Sequence, residues 1–281
     1  MTEWVIGVDV GGTFTDFSAR NMVQKTVHLH KRPSTPDDPS RSILEGLQEL
    51  LDKAGIAGIS IGRIAHGTTV ATNALLQRRG AQVGVVTTKG FRDLLEIGRQ
   101  VRPKIYDLQE DAPAPLASRQ NRLEILERIG ADGEIVVPLA KSDINELIDK
   151  VRRMSSVESI AVCTLFSFLN PTHEKQVASA LRSAFPDIFV SVSSDVQPEF
   201  REYERFSTTA INAFLQPEVS RYMDKLRLAI KDLAPNAKLG IFQSSGGLMS
   251  IRTAKLFPIR TALSGPAAGV VGAIHSAQSS S

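Results

Sequence analysis

Asp9-Val10-Gly11-Gly12-Thr13-Phe14-Thr15-Asp16 is an acidic residue at the end of an apolar run, followed by paired glycines and hydroxyl side chains. Val5 to Val10 before it has the composition of a buried strand, and Phe14 to Arg20 after it alternates as a second strand. A glycine turn lets backbone N–H groups approach an anion closely, and threonine hydroxyls add donors. Gly11, Gly12, Thr13, Thr15 and Asp16 are therefore candidate phosphate-binding residues. Asp9 is placed to hold Mg²⁺ directly or through water, because magnesium takes few carboxylates and keeps several waters. Gly-Gly is also a common hairpin turn, so a plain hairpin is the alternative reading. Neither G-x-G-x-x-G nor G-x-x-x-x-G-K-[ST] occurs, which excludes the Rossmann and P-loop arrangements.

Outward from that turn the pattern is α/β. Gln24 to Lys31 reads as a third strand, making a meander. A helix from Asp37 to Lys53 follows, behind the cap candidates Ser34 and Asp37. Strands are predicted over Ile59 to Ala65 and Gln82 to Thr87, and helices over Val70 to Arg79 and Arg92 to Ile97. Residues 102 to 139 carry Pro103, Pro113, Pro115 and Pro138 and read as an insertion or lid-like segment. Helices at Ser142 to Met154 and His173 to Phe185 then alternate with strands at Ile160 to Leu165 and Ile188 to Val192. A domain boundary is placed near residue 190, giving a first domain over 1–190 and the start of a second over 191–281. Beyond it come helices at Arg201 to Phe214 and Glu218 to Leu233, a strand from Lys238 to Gln243, and a last helix from Pro266 to Ser276.

Three further segments bear on chemistry. His66-Gly67-Thr68-Thr69-Val70-Ala71-Thr72-Asn73 passes from a strand end into a helix, where unsatisfied N–H groups favour an anion. Thr68 or Thr69 as an ordinary helix cap is the alternative. His66 has no second ligand at metal spacing, leaving a polar contact to substrate or a structural hydrogen bond. Ser245-Gly246-Gly247 follows a strand, and Gly265, Ala267, Ala268, Gly269 and Gly272 give the last helix a face without bulk, which would permit close packing. Arg201-Glu202-Tyr203-Glu204-Arg205 alternates in sign and reads as a solvated helix face.

Composition bounds these readings. The 281 residues are 42% hydrophobic and 22% charged, enough for a globular core. No apolar run reaches the length of a membrane span, and the start lacks a secretory signal, so a soluble cytoplasmic protein is expected. The net charge of +3 implies no nucleic-acid partner. The single cysteine, Cys163, excludes an internal disulfide and reads as a buried strand residue.

Strand, Asp-x-Gly-Gly-Thr turn, strand resembles the first phosphate loop of the actin, Hsp70 and sugar-kinase ATPases. The stretches Gly7 to Phe17, Ala65 to Gln77, Val86 to Gln100, Pro198 to Ser207 and Arg260 to Ala273 together resemble the hydantoinase/oxoprolinase family. The resemblance implies an actin-like (ribonuclease H-like) ATPase lobe with a mixed sheet, followed by the beginning of a second α/β lobe. It also implies ATP and Mg²⁺ as cofactors and the opening of a five-membered lactam or imide ring of the 5-oxoproline or hydantoin type. In that scheme Gly11, Gly12 and Thr13 cradle phosphate, Asp9 holds magnesium, and Thr68, Thr69 and Asn73 border the reacting groups. Gly246, Gly247 and Gly265 belong to the same nucleotide site. The family also contains subunits of acetone and acetophenone carboxylases, and implies as partners the remainder of a longer polypeptide or a hydantoinase B-like subunit, in an oligomer. A second Asp-x-Gly-Gly-Thr hairpin is expected after Ser264 to Ala273, and the sequence reaches Ser281 before one. Hence the chain is expected to be a fragment that is inactive alone, or a noncatalytic binding remnant.

Overall fold

The computed structural model describes residues 3–35, 38–101, 104, 106, 113–154 and 156–279. The chain opens with β1 (Trp4–Val10), β2 (Phe14–Asn21), β3 (Val27–Pro33), α1 (Pro39–Ala54), β4 (Ile61–Thr68) and α2 (Val70–Leu76). It continues through β5 (Val83–Thr88), α3 (Leu94–Ile97), β6 (Arg122–Ile125), β7 (Arg128–Ile129), β8 (Ile135–Val137) and α4 (Lys141–Arg152). Next come β9 (Ser159–Cys163), α5 (Thr172–Ala184), β10 (Phe189–Val192), α6 (Ser193–Val196) and α7 (Glu202–Leu233). The last elements are β11 (Lys238–Phe242), β12 (Leu248–Ser250), α8 (Ile251–Leu256) and α9 (Ser264–Ser279). By contact the chain divides into two compact units, Met1–Arg79 with Glu218–Ser281, and Gly80–Pro217. This is a division in space, separate in kind from the family boundary placed near residue 190.

The first unit is built on a six-stranded mixed sheet of order β12-β11-β4-β1-β2-β3. β1 and β2 are antiparallel, β1 and β4 parallel, and β4 and β11 parallel. Alternation sets the faces: Ile6, Val8 and Val10 of β1 are buried on one side, while Gly7 and Asp9 point to the other. α1 covers the apolar side with Ile43, Leu47, Leu50 and Leu51, each burial contributing about 1.5–3 kcal/mol. Gly46 lets α1 come close, since a Cβ there would lie 2.2 Å from Phe17 Cζ. The α1 cap is Asp38, whose carboxylate accepts from the Ser40 N–H, with Pro39 in the first turn. Ser34 does not cap; its hydroxyl donates to the Gly11 carbonyl at 2.8 Å, tying β3 to the hairpin turn. Asp37 lies outside the described residues.

The second unit holds a parallel sheet of order β10-β9-β5-β6. β5 and β9 are buried along their whole length, as a sheet covered on both faces requires. Val86, Val162 and Ile160 pack with Leu147 and Val151 of α4 and Val177 and Leu181 of α5. Cys163 is fully buried at the end of β9.

Four expectations change. The segment read as an insertion or lid contributes β6 to the parallel sheet and the β7–β8 hairpin; Pro103 and most of residues 102–112 lie outside the described residues. These strands are only two to four residues long, too short for a periodic signal. The two helices around residue 217 are one, α7, running through Pro217; the ring removes one N–H donor, and burial of Phe214, Leu215 and Val219 around it holds the helix together. Arg205, at the end of the charged run, is fully buried and not solvated. Its guanidinium donates to Ser193 Oγ and to the carbonyls of Glu199 and Thr164. Finally, the small-residue face of α9 is not closely packed: a Cβ on Gly265, Gly269 or Gly272 would meet nothing within 4 Å. Among the described residues no helix is long and apolar enough to cross a membrane.

Candidate functional site

The hairpin turn closes with the Gly11 N–H donating to the Phe14 carbonyl at 3.0 Å. Asp9 and Asp16 are equidistant from it and face each other across β1 and β2 on the side away from α1. On the other flank Asp9 is in parallel register with Gly67 of β4, where a Cβ would stand 2.8 Å from Asp9 Oδ1. Gly67 thus leaves room for the carboxylate. Asp16 pairs with Lys31 at 3.0 Å, while among the described residues Asp9 has no cationic partner. Partial desolvation, and then the Asp16 charge, hold the Asp9 carboxyl above the ordinary carboxylate range. Asp9, Asp16, Lys31, Gly67, Phe242 and Gly265 line one cavity of about 630 Å³ beneath α9.

A second cavity of the same unit, about 310 Å³, is lined by Gly11, Gly12, Thr69, Asn73, Arg79 and Lys225 among others. Thr69 Oγ1 donates to the Val10 carbonyl at 3.2 Å, and Asn73 Nδ2 donates to Thr69 Oγ1 at 3.3 Å, so α2 is fastened to the end of β1. Burial pushes the carboxyl of Glu218 up in the same wall. The residues singled out in the sequence therefore fall into two groups: Asp9, Asp16 and Gly265 in one cavity, and Gly11, Gly12, Thr69 and Asn73 in the other.

The remaining candidates stand elsewhere. Thr15 is fully buried toward α1, with Ser34 Oγ at 2.9 Å and Ser42 Oγ at 3.1 Å, which occupies its hydroxyl. Thr68 is buried and accepts from the Val70 N–H at 3.2 Å, which satisfies the first donor of the short α2. Thr13 is exposed, and its carbonyl accepts from the Ser34 N–H. Gly246 and Gly247, at φ +87° and +78°, form the turn between β11 and β12 and line neither cavity. Gly67, Lys31, Arg79 and Lys225 were not singled out from the sequence; strand register places the first two beside the aspartates, and nothing local in the sequence marks them.

His66, one residue before Gly67, faces the α1 side and is buried, with Nε2 2.6 Å from Tyr222 Oη. Burial drives its imidazole down to about 4, against the opposing pull of a backbone hydrogen bond to Val8. The unfolded chain therefore binds a proton that the folded chain refuses, and stability falls as pH drops from 6.5 toward 4. This group alone accounts for about 3 kcal/mol over that window. His66→Gln removes the titration and is expected to flatten the acid limb of urea midpoints measured between those pH values. An unchanged limb would show that His66 is not buried neutral.

The fold and the hairpin define a lobe of an actin-like ATPase. Residues 5–185 match the family model described as the hydantoinase/oxoprolinase N-terminal region, and residues 205–281 match that described as hydantoinase/oxoprolinase. The chain belongs to the hydantoinase/oxoprolinase family. It is 37% identical over 252 residues to caprolactamase subunit alpha of Pseudomonas jessenii, covering 88% of this chain and 36% of the relative. It is 32% identical over 293 residues to the acetophenone carboxylase gamma subunit of Aromatoleum aromaticum, covering 96% and 38%. It is 32% identical over 305 residues to the 5-oxoprolinase of Saccharomyces cerevisiae, covering 95% and 23%. The solved structure of the ATP-dependent caprolactamase from Pseudomonas jessenii superposes with a TM-score of 0.83 at 36% identity, covering 94% of this chain and 39% of that one. The chain thus spans less than two-fifths of the length of these relatives.

Proposed function

We propose that this chain is the phosphate- and magnesium-binding part of an ATP-dependent enzyme that opens a cyclic amide. The observation that carries the reading is the Asp9–Asp16 pair: two carboxylates on adjacent strands, one without a cationic partner among the described residues, beside a Gly-Gly turn and under the open face of α9. Like charges held this way favour a divalent cation between or beside them. Among the described residues no three carboxylate, histidine or cysteine groups gather as a metal cluster. That donor set suits magnesium, which completes its shell with water and phosphate oxygens.

Asp9 then holds the cation and Asp16, restrained by Lys31, keeps the second carboxylate nearby. Gly11 closes the turn through its N–H to the Phe14 carbonyl, Gly12 presents its backbone N–H without side-chain bulk, and Thr13 adds an exposed hydroxyl. Thr69 and Asn73 border the polar cavity reached from the same turn, where a substrate amide is oriented; Arg79, Lys225, Asp38 and Glu218 give that wall charges of both signs. Thr15 and Thr68 act by fixing the loop and α2, and Gly265 by keeping the cavity roof open. Amide resonance makes a lactam carbonyl a poor electrophile, and ATP supplies the phosphoryl group that converts the amide oxygen into a leaving group. The names caprolactamase and 5-oxoprolinase refer to rings of different size, so the proposal extends to cyclic amides generally, with the five-membered lactam or hydantoin as one case. Relatives named as subunits support a larger assembly, either the rest of a longer polypeptide or a hydantoinase B-like subunit in an oligomer.

The test is ADP release by the ATP-dependent enzyme proposed here, with a lactam panel against acetophenone plus bicarbonate. Lactam-stimulated, magnesium-dependent ADP release with ring opening is expected. Stimulation by the ketone pair alone would establish the carboxylase reading, which the acetophenone carboxylase similarity supports, and sink the lactam one. The 281-residue chain by itself, with one Asp-x-Gly-Gly-Thr hairpin, should turn over ATP more slowly than about 1 per second.

A further inference from the structure

In the second unit the strand order β10-β9-β5-β6 is, in order of appearance, fourth, third, first, second. The chain leaves β5 toward β6 on one side and later returns to β9 on the other. Open parallel sheets bind ligands outside the carboxyl ends of their strands at such a reversal point. A cavity of about 630 Å³ lies there, within the range of small-molecule sites. Phe91 lines it from the loop after β5 and Leu94 from the start of α3, Phe166 and Phe168 from the loop after β9, Arg128 from β7, and Tyr203 from the start of α7.

We infer that this crevice binds small organic carboxylates with an aromatic or branched aliphatic body. Five aromatic rings line it, together with three guanidiniums, Arg99, Arg128 and Arg201, and two carboxylates, Glu202 and Glu204. Arg99 is committed to Glu204 through two hydrogen bonds. Arg128 has no carboxylate partner among the described residues and lies over the Phe91 ring, 5.3 Å from its centroid. A guanidinium on an aromatic face keeps its edge donors free, and those donors match a carboxylate in bidentate fashion. The cavity rim is also built at a conformational cost: Phe166 and Arg201 hold φ of +54° and +76°, in the left-handed region that bulky side chains avoid. Such outliers gather where a surrounding structure positions ligand contacts. Beneath them the buried Arg205 stacks against Phe168 and pins the start of α7. The inference is independent of the nucleotide reading of the first unit.

Benzoate and benzamide share shape and differ in charge, which makes them suitable probes of the 281-residue chain by saturation-transfer NMR titration. Benzoate is expected to bind at least tenfold more tightly than benzamide. Arg128→Gln should weaken benzoate tenfold or more while leaving benzamide and the melting temperature unchanged, Arg128→Lys should keep part of the preference, and Leu94→Trp, which fills the cavity, should abolish both signals. Equal affinity for the two probes, benzoate binding insensitive to Arg128→Gln, or no benzoate binding up to about 10 mM would each overturn the proposal.

Discussion

Asp9→Asn, introduced into the ATP-dependent enzyme proposed above, is expected to lower ring opening by a factor on the order of 10²–10³ while leaving the fold as stable as before or more so. The two halves of that expectation have one origin. Asp9 faces Asp16 across the hairpin without a cationic partner among the described residues, and its carboxyl is held above the ordinary range by desolvation and by that neighbour. An ionised Asp9 is therefore a small strain on the folded state at neutral pH, which Asn relieves. The same carboxylate, if it holds magnesium, acts on charge developing at the phosphates, and Asn withdraws it. A turn aspartate serving only local hydrogen bonds would give the opposite pattern, with activity retained and stability slightly reduced. Ring opening and thermal unfolding measured side by side separate the roles: near-native activity in the Asn variant removes the magnesium assignment.

Arg205→Ala should be among the most damaging substitutions for stability in the second unit, at about 3–5 kcal/mol. Arg205 and Glu174 are both buried and share Ser193: the Ser193 hydroxyl donates to Glu174 Oε1 at 2.6 Å and accepts from Arg205 Nε at 3.2 Å. Burial already pushes the Glu174 carboxyl up, against hydrogen bonds from Ser193 and the N–H groups of Thr164 and Ser194. Removing the guanidinium takes a donor from Ser193, breaks the pair with Glu202 and frees the Glu199 and Thr164 carbonyls. A fall in melting temperature on the order of ten degrees is expected. Arg201→Ala, on the exposed start of the same run, should change stability by less than about 0.5 kcal/mol. Equal effects of the two would mean that Arg205 is not a buried anchor.

What the sequence made legible follows from where the signal is local. The hairpin at Gly11-Gly12 and the alternation on both sides of it are short-range properties, and they already imply that Asp9 and Asp16 face each other. The register of β4 against β1 is a long-range property, so Gly67 and its clearance for Asp9 could not be read in advance. Thr15 and Asp16 looked alike as phosphate contacts, yet adjacent strand residues point to opposite faces, and Thr15 went to α1. Arg205 misled for a different reason: alternating charge describes a helix surface, and only the hydrogen bonds to Thr164, Ser193 and Glu199 show which one charge is enclosed. The gap expected between the helices ending at Phe214 and starting at Glu218 holds Pro217, where local propensity favours a break, and tertiary burial overrode it.

The sheet of the first unit has a consequence for the order of events during synthesis. Its fifth strand in space, β11, pairs with β4 through Gly240 beside Ala65, and all of the second unit is spelled out between them. The second unit is continuous in sequence and can close on itself once the first half of α7, through Pro217, has been made. β4 must meanwhile wait with one edge unpaired until β11 emerges, so the segment that carries His66, Gly67 and Thr68 is the last part of the lobe to be enclosed. Closing so long a loop is slow, and an unpaired apolar edge is prone to the wrong partner during that interval.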